Sequence, residues 1–94
     1  MTSTPELDNI RKNIDGIDGA LITLLARRFD EVKKVAIEKH KHRLPAVVPA
    51  RIEAIVKRIR ADAEKAGFPP DVAEKIWRLL INEMIAYEEA ELSK

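Results

Sequence analysis

Between Pro5 and Pro45 the chain runs without a proline, and over that stretch its apolar residues keep helical time. Leu7, Ile10, Ile14, Ile17, Leu21 and Leu24 recur in alternating steps of three and four, and the pattern continues through Leu25, Phe29, Val32, Val35 and Ala36. Such spacing draws one apolar stripe along a helix. It predicts a single helix from about Glu6 to about His42, roughly 55 Å long at 1.5 Å per residue. A compact domain of this size has a radius of gyration near ~13 Å, so the helix cannot cover its own stripe by folding back into a globule. Two copies lying antiparallel about a two-fold axis would cover each other. Gly16 and Gly19 weaken the helix locally and leave room for backbones to approach closely.

Pro45 and Pro49 bracket Ala46-Val47-Val48, and proline disfavours helix both at itself and in the residue before it, so this is a loop. A second helix is predicted from Pro49 or Ala50, burying Ile52, Ile55, Val56, Ile59, Ala63 and Ala66, with Gly67 as its C-cap. Pro69-Pro70-Asp71 opens a third, whose packing face is read as Val72, Ile76, Leu79, Leu80 and Ile85 and which frays near Leu92. No strand is expected. The prediction is an all-α, three-helix chain with a long first helix, residues 1–94 forming a single domain and pairing as an intertwined homodimer.

Size favours the same outcome. A chain of 94 residues buries only about 60–65% of its unfolded surface when it folds alone. Without cysteine, neither a disulfide framework nor a thiolate metal site can supplement that core, and nothing requires an oxidising compartment. Seventeen Lys+Arg against sixteen Asp+Glu leave a formal charge of +1, far from the basic balance of a nucleic-acid binder. The opening Met1-Thr2-Ser3-Thr4-Pro5-Glu6 lacks the basic and apolar regions of a signal peptide, and no apolar run approaches the ~20 residues of a membrane span. A cytoplasmic protein with no membrane association is expected.

Several polar residues interrupt the pattern. Arg28 stands where the stripe calls for another apolar residue; read alone, it is an ordinary solvated arginine. Lys39 follows eleven residues later, and eleven steps of about 100° return to nearly the same direction, so both cations can reach a small anion between them. Arg11, seventeen residues before Arg28, points about 100° away and serves such a pocket more readily from a second, antiparallel copy. Arg51 falls in the first turn of the second helix, where free N–H groups and the helix dipole favour anions; its plain reading is a surface arginine. Glu88 follows Trp77, Ile81 and Met84 on one stripe. It is either a solvated terminal glutamate or a buried carboxyl able to donate a hydrogen bond. His40 and His42, two apart, diverge around a helix and do not form a metal pair.

Taken together, Ile10-Arg11 with Ile14, Ile17 and Asp18, Leu24-Leu25-Ala26-Arg27-Arg28, Lys39, the proline loop with Arg51, and Ile81 to Glu88 resemble the all-helical chorismate mutases and the related isochorismate-pyruvate lyases. The likeness runs from Leu7 to about Leu92. It implies an intertwined dimer with two active sites, a dicarboxylate substrate, and no cofactor or metal. It also implies that Arg28, Arg51 and the partner subunit's Arg11 bind the substrate carboxylates. Lys39 would meet the ether oxygen of the breaking C–O bond, with Glu88 directed at the same oxygen. Activity would then fall as pH rises, and Glu88→Gln would flatten that profile.

The chain also departs from the pattern. Common bacterial mutases carry acidic residues where Val48 and Ile52 stand, in a region that recognises the ring hydroxyl, and Met84 replaces a small polar residue. The loop Pro45-Ala46-Val47-Val48-Pro49-Ala50-Arg51 looks closer to the lyase branch. Chorismate-to-prephenate rearrangement is the leading expectation, with isochorismate lysis or a mutase for 4-amino-4-deoxychorismate as alternatives. A non-catalytic helical dimerisation module is the reading from another class.

Overall fold

The computed structural model describes residues 3–94, so Met1 and Thr2 of the opening stretch lie outside the described residues. Among the described residues the chain is all-helical: α1 spans Pro5–His42, α2 Pro49–Ala66 and α3 Pro70–Leu92. The predicted boundaries hold to within a residue, and proline or glycine marks the start of all three helices and the end of α2. No helix among the described residues is long and apolar enough to cross a membrane.

Contacts divide the chain into two units, Met1–Glu31 and Val32–Lys94. In the first, Thr4 caps α1: its Oγ1 accepts the Leu7 N–H at 3.1 Å and its carbonyl accepts the Asp8 N–H at 2.9 Å, satisfying donors that the first turn would otherwise leave open. Ser3 Oγ donates to the Asp8 carboxylate. The apolar stripe is on the surface of the chain: Ile10, Ile14, Ile17, Leu21 and Leu24 are all exposed, Ile17 by 60% and Leu21 by 51%. A Cβ added at Gly16 or Gly19 would meet nothing within 4 Å.

The second unit contains a helical hairpin. Pro49 sits in the first turn of α2, where its missing N–H costs nothing, and Gly67 ends the helix at φ 75°. There its N–H reaches Glu64 O at 3.2 Å and the Phe68 N–H reaches Ala63 O at 2.9 Å, a turn that a side chain would strain. Three residues after Gly67, Pro70 starts α3. Ile55, Val56, Ile59 and Ala63 from α2 pack with Ala73 and Ile81 from α3, and Ile52, Trp77 and Ile85 close over them half-buried.

The face read for α3 is corrected by this packing. Val72, Ile76 and Leu79 are exposed, and the stripe that packs is Ala73, Trp77, Ile81 and Ile85. Small Ala73 lets the two backbones approach close to the turn. On α2, Ala66 is exposed as well.

Ion pairs tie the hairpin together outside the core. Arg60 of α2 reaches Asp71 and Glu74 of α3, each at 2.9 Å. Arg78 of α3 reaches Glu74 at 2.7 Å and Glu53 of α2 at 3.2 Å. The Arg78 hydrogen bond, seconded by Arg60, holds the Glu74 carboxyl below the ordinary carboxylate range.

Candidate active site

The last turns of α1 belong to the second unit and carry Lys39. Lys39 Nζ lies 2.7 Å from Glu88 Oε1, with side-chain exposures of 17% and 9%. The same ammonium donates a 2.8 Å hydrogen bond to the carbonyl of Ala46, itself a buried residue. No hydrogen bond of good angle reaches Glu88 Oε1, so charge and proximity hold it to Lys39. Taking two charged groups out of water is costly unless each faces an opposite charge or a hydrogen-bond partner. Here each does.

Helical spacing explains how Glu88 comes to be inside. Trp77, Ile81 and Met84 precede it on α3, and Ile81 is buried while Trp77 and Met84 are half-buried. The carboxylate therefore continues the apolar stripe inward, and the solvated alternative for Glu88 does not apply to this chain. Arg51 is exposed in the first turn of α2. Its backbone N–H is bonded to Val48 O at 3.0 Å and that of Ile52 to the same carbonyl at 3.1 Å. Those two donors, expected to be free for an anion, are occupied by the turn.

Arg11 and Arg28 belong to the first unit. Arg11 is exposed and its guanidinium donates to Ser3 Oγ at 3.3 Å; Arg28 is half-buried. The structure thus joins Lys39 with Glu88 directly and sets Arg51 one short loop away. One contact that sequence reasoning missed is the Ala46 carbonyl, since a backbone acceptor leaves no mark in residue type. A cleft of about 450 Å³, with Lys33, His40, Tyr87 and Lys94 in its wall, includes none of the five predicted site residues. His42 pairs with Glu38 at 3.2 Å on the surface.

A half-buried lysine at a helix end paired with a buried glutamate, followed by a proline loop that leads to an arginine, narrows the comparison with known proteins. Residues 10–89 match the sequence model of the chorismate mutase type II family. The chain belongs to that family. Relatives at the sequence level agree: the T-protein of Haemophilus influenzae is 38% identical over 88 residues, covering 94% of this chain and 23% of that protein. The chorismate mutase of Methanocaldococcus jannaschii is 34% identical over 76 residues, 81% of this chain and 77% of that protein. The 4-amino-4-deoxychorismate mutase of Streptomyces venezuelae is 28% identical along the whole chain and 91% of its own length. The chain spans about a quarter of the length of the T-proteins it matches. Membership in the chorismate mutase type II family bears out the resemblance carried by the arginine, lysine and Ile81-to-Glu88 motifs.

Proposed function

We propose that the chain is a chorismate mutase, rearranging chorismate to prephenate in aromatic amino acid biosynthesis, and that it works as a homodimer with shared sites in the cytoplasm. The observation that carries this reading is the pair of half-buried Lys39 and buried Glu88 at 2.7 Å in a chain of this family. The rearrangement is pericyclic and asks for no nucleophile, metal or cofactor. Holding the side chain of the substrate over its ring removes an entropic part of the barrier. Negative charge grows on the ether oxygen as the C–O bond breaks, and an ammonium already fixed there stabilises the transition state more than the ground state. Lys39 takes that role, the Glu88 carboxyl in its neutral form donates a hydrogen bond to the same oxygen, and Arg28, Arg51 and the partner subunit's Arg11 bind the two carboxylates.

Exposed apolar side chains support the dimer. The α1 stripe of Ile10, Ile14, Ile17, Leu21 and Leu24 is uncovered, and so is a row of Phe68, Val72, Ile76 and Leu79 beside and along α3. Exposed apolar rows of this kind mark an interface, and a second copy would supply apolar surface to cover them.

A second reading, 4-amino-4-deoxychorismate as substrate, is favoured by the relative of that name, which this chain matches over 91% of its length. Val48 and Ile52, standing where common bacterial mutases carry acidic residues, leave isochorismate and this amino analogue both open as substrates. Purified protein offered chorismate, isochorismate and 4-amino-4-deoxychorismate separately decides the matter. Prephenate from chorismate is the expected product, and Lys39→Ala should lower kcat by about 10²–10³-fold. No turnover of chorismate overturns the leading reading. Pyruvate release from isochorismate installs the lyase, and inertness toward all three leaves a non-catalytic dimer.

A further inference from the structure

We infer that the carbonyl of Ala46 is a positioning group for Lys39, fixing the direction from which its ammonium meets the substrate. The inference rests on the mutase reading above and concerns how that lysine is aimed.

A lysine carries its charge on a flexible four-carbon stem with three rotatable donors. Preorganisation demands that this freedom be removed before the substrate arrives. Two contacts surround Lys39 Nζ, and they differ in kind. Glu88 Oε1 lies at 2.7 Å without a hydrogen bond of good angle, so it supplies charge and little direction. Ala46 O accepts a 2.8 Å hydrogen bond from the same ammonium, and a hydrogen bond weakens steeply as its angle departs from linear. One N–H is thereby committed and the sweep of the other two is fixed. Unlike Glu88, the neutral Ala46 carbonyl gives the ammonium direction without adding a second counter-charge.

The chain around Ala46 is built to hold that carbonyl still. At the end of α1, Leu44 N–H bonds to Lys39 O at 2.8 Å and Arg43 N–H to His40 O at 3.3 Å, the pattern of a helix-terminating turn. Arg43 adopts φ 56°, a left-handed conformation that an arginine takes only when its surroundings impose it. Pro45 then locks its own φ and restricts Leu44 before it, and Ala46 is buried. Lys39 is therefore gripped twice by one turn, at its own carbonyl by Leu44 and at its ammonium by Ala46. Two residues beyond Ala46, the carbonyl of Val48 seats the N–H groups of Arg51 and Ile52. The strap that aims Lys39 thus also begins the helix bearing Arg51.

The test weakens that one acceptor and leaves every side chain in place. In semisynthetic full-length chain, Val47 is replaced by its α-hydroxy acid, turning the peptide bond after Ala46 into an ester whose carbonyl is a poorer acceptor. The expected result is a fall in kcat for chorismate of about five- to tenfold with KM held within about twofold. In parallel, the ¹⁵N–¹H signal of the Lys39 ammonium should be retained by slow proton exchange in the unmodified chain and broaden in the ester. An unchanged kcat, or kcat and KM moving together with a lowered melting temperature, overturns the inference. Absence of chorismate turnover in the unmodified chain removes the mutase reading and this inference with it. Turnover that ignores the ester removes the inference alone.

Discussion

The α2–α3 hairpin and the first thirty-one residues are equally well patterned, yet their apolar residues meet opposite fates. Ile55, Val56 and Ile59 are buried against Ala73 and Ile81, while Ile10, Ile14, Ile17 and Leu21 are half or more exposed. Periodicity is not what separates them. The hairpin brings its own partner within three residues of turn, from Gly67 to Pro69, whereas the front of α1 has only itself. An amphipathic stripe records that a helix will be covered, not by what.

This contrast can be broken by substitution. Ile59→Ala removes a buried side chain and should cost about 2–5 kcal/mol, read as a lower midpoint in urea. The loss should persist in a form of the chain that does not dimerise, since the hairpin core lies within one chain. Leu21→Lys puts a charge into the exposed stripe; in the proposed homodimer it should shift sedimentation toward the monomer and weaken association by about a hundredfold, or about 3 kcal/mol. An unaltered sedimentation profile would argue against α1 as the dimer face. Gly19→Ala is subtler. Within the chain the new methyl meets open space, so better helix propensity should add up to about 1 kcal/mol. A weaker dimer in its place would locate the backbone of the partner subunit against Gly19.

The smallest effect concerns acid. Glu74 titrates below its ordinary value because Arg78, then Arg60, hydrogen-bond to its carboxylate. Its contribution is present above the unfolded value of about 4.3 and is lost as pH falls through the lower folded value. Glu74→Gln should therefore lower the melting temperature slightly at neutral pH and not at all in strong acid. Melting curves of the two proteins, recorded from pH 7 down to about 3, should converge.

Element boundaries were legible because proline and glycine act locally: Pro5, Pro49, Gly67 and Pro70 each do at a helix end what their backbone chemistry dictates. The packing face of α3 was not. That helix carries two interleaved apolar rows, Val72-Ile76-Leu79 and Ala73-Trp77-Ile81, and period alone cannot rank them. The choice falls to Ala73, whose small side chain admits α2. Lys39 and Glu88 were readable as interruptions of apolar spacing, and the structure places them together. The Ala46 carbonyl and the left-handed Arg43 were not readable, because neither residue type announces a backbone hydrogen bond or a positive φ. The Thr4 cap could have been found, since a threonine directly before a proline at the first helical position fits the ordinary signature of a helix start.

The tight Gly67 turn bears on how the molecule is made. With only three residues joining α2 to α3, the contacts of the hairpin are close in sequence, and such topologies fold in microseconds to milliseconds. In the proposed homodimer, docking of two chains is a second-order event and slows as the protein is diluted. Refolding should thus divide into a fast phase blind to protein concentration, belonging to the hairpin, and a later one that tracks it.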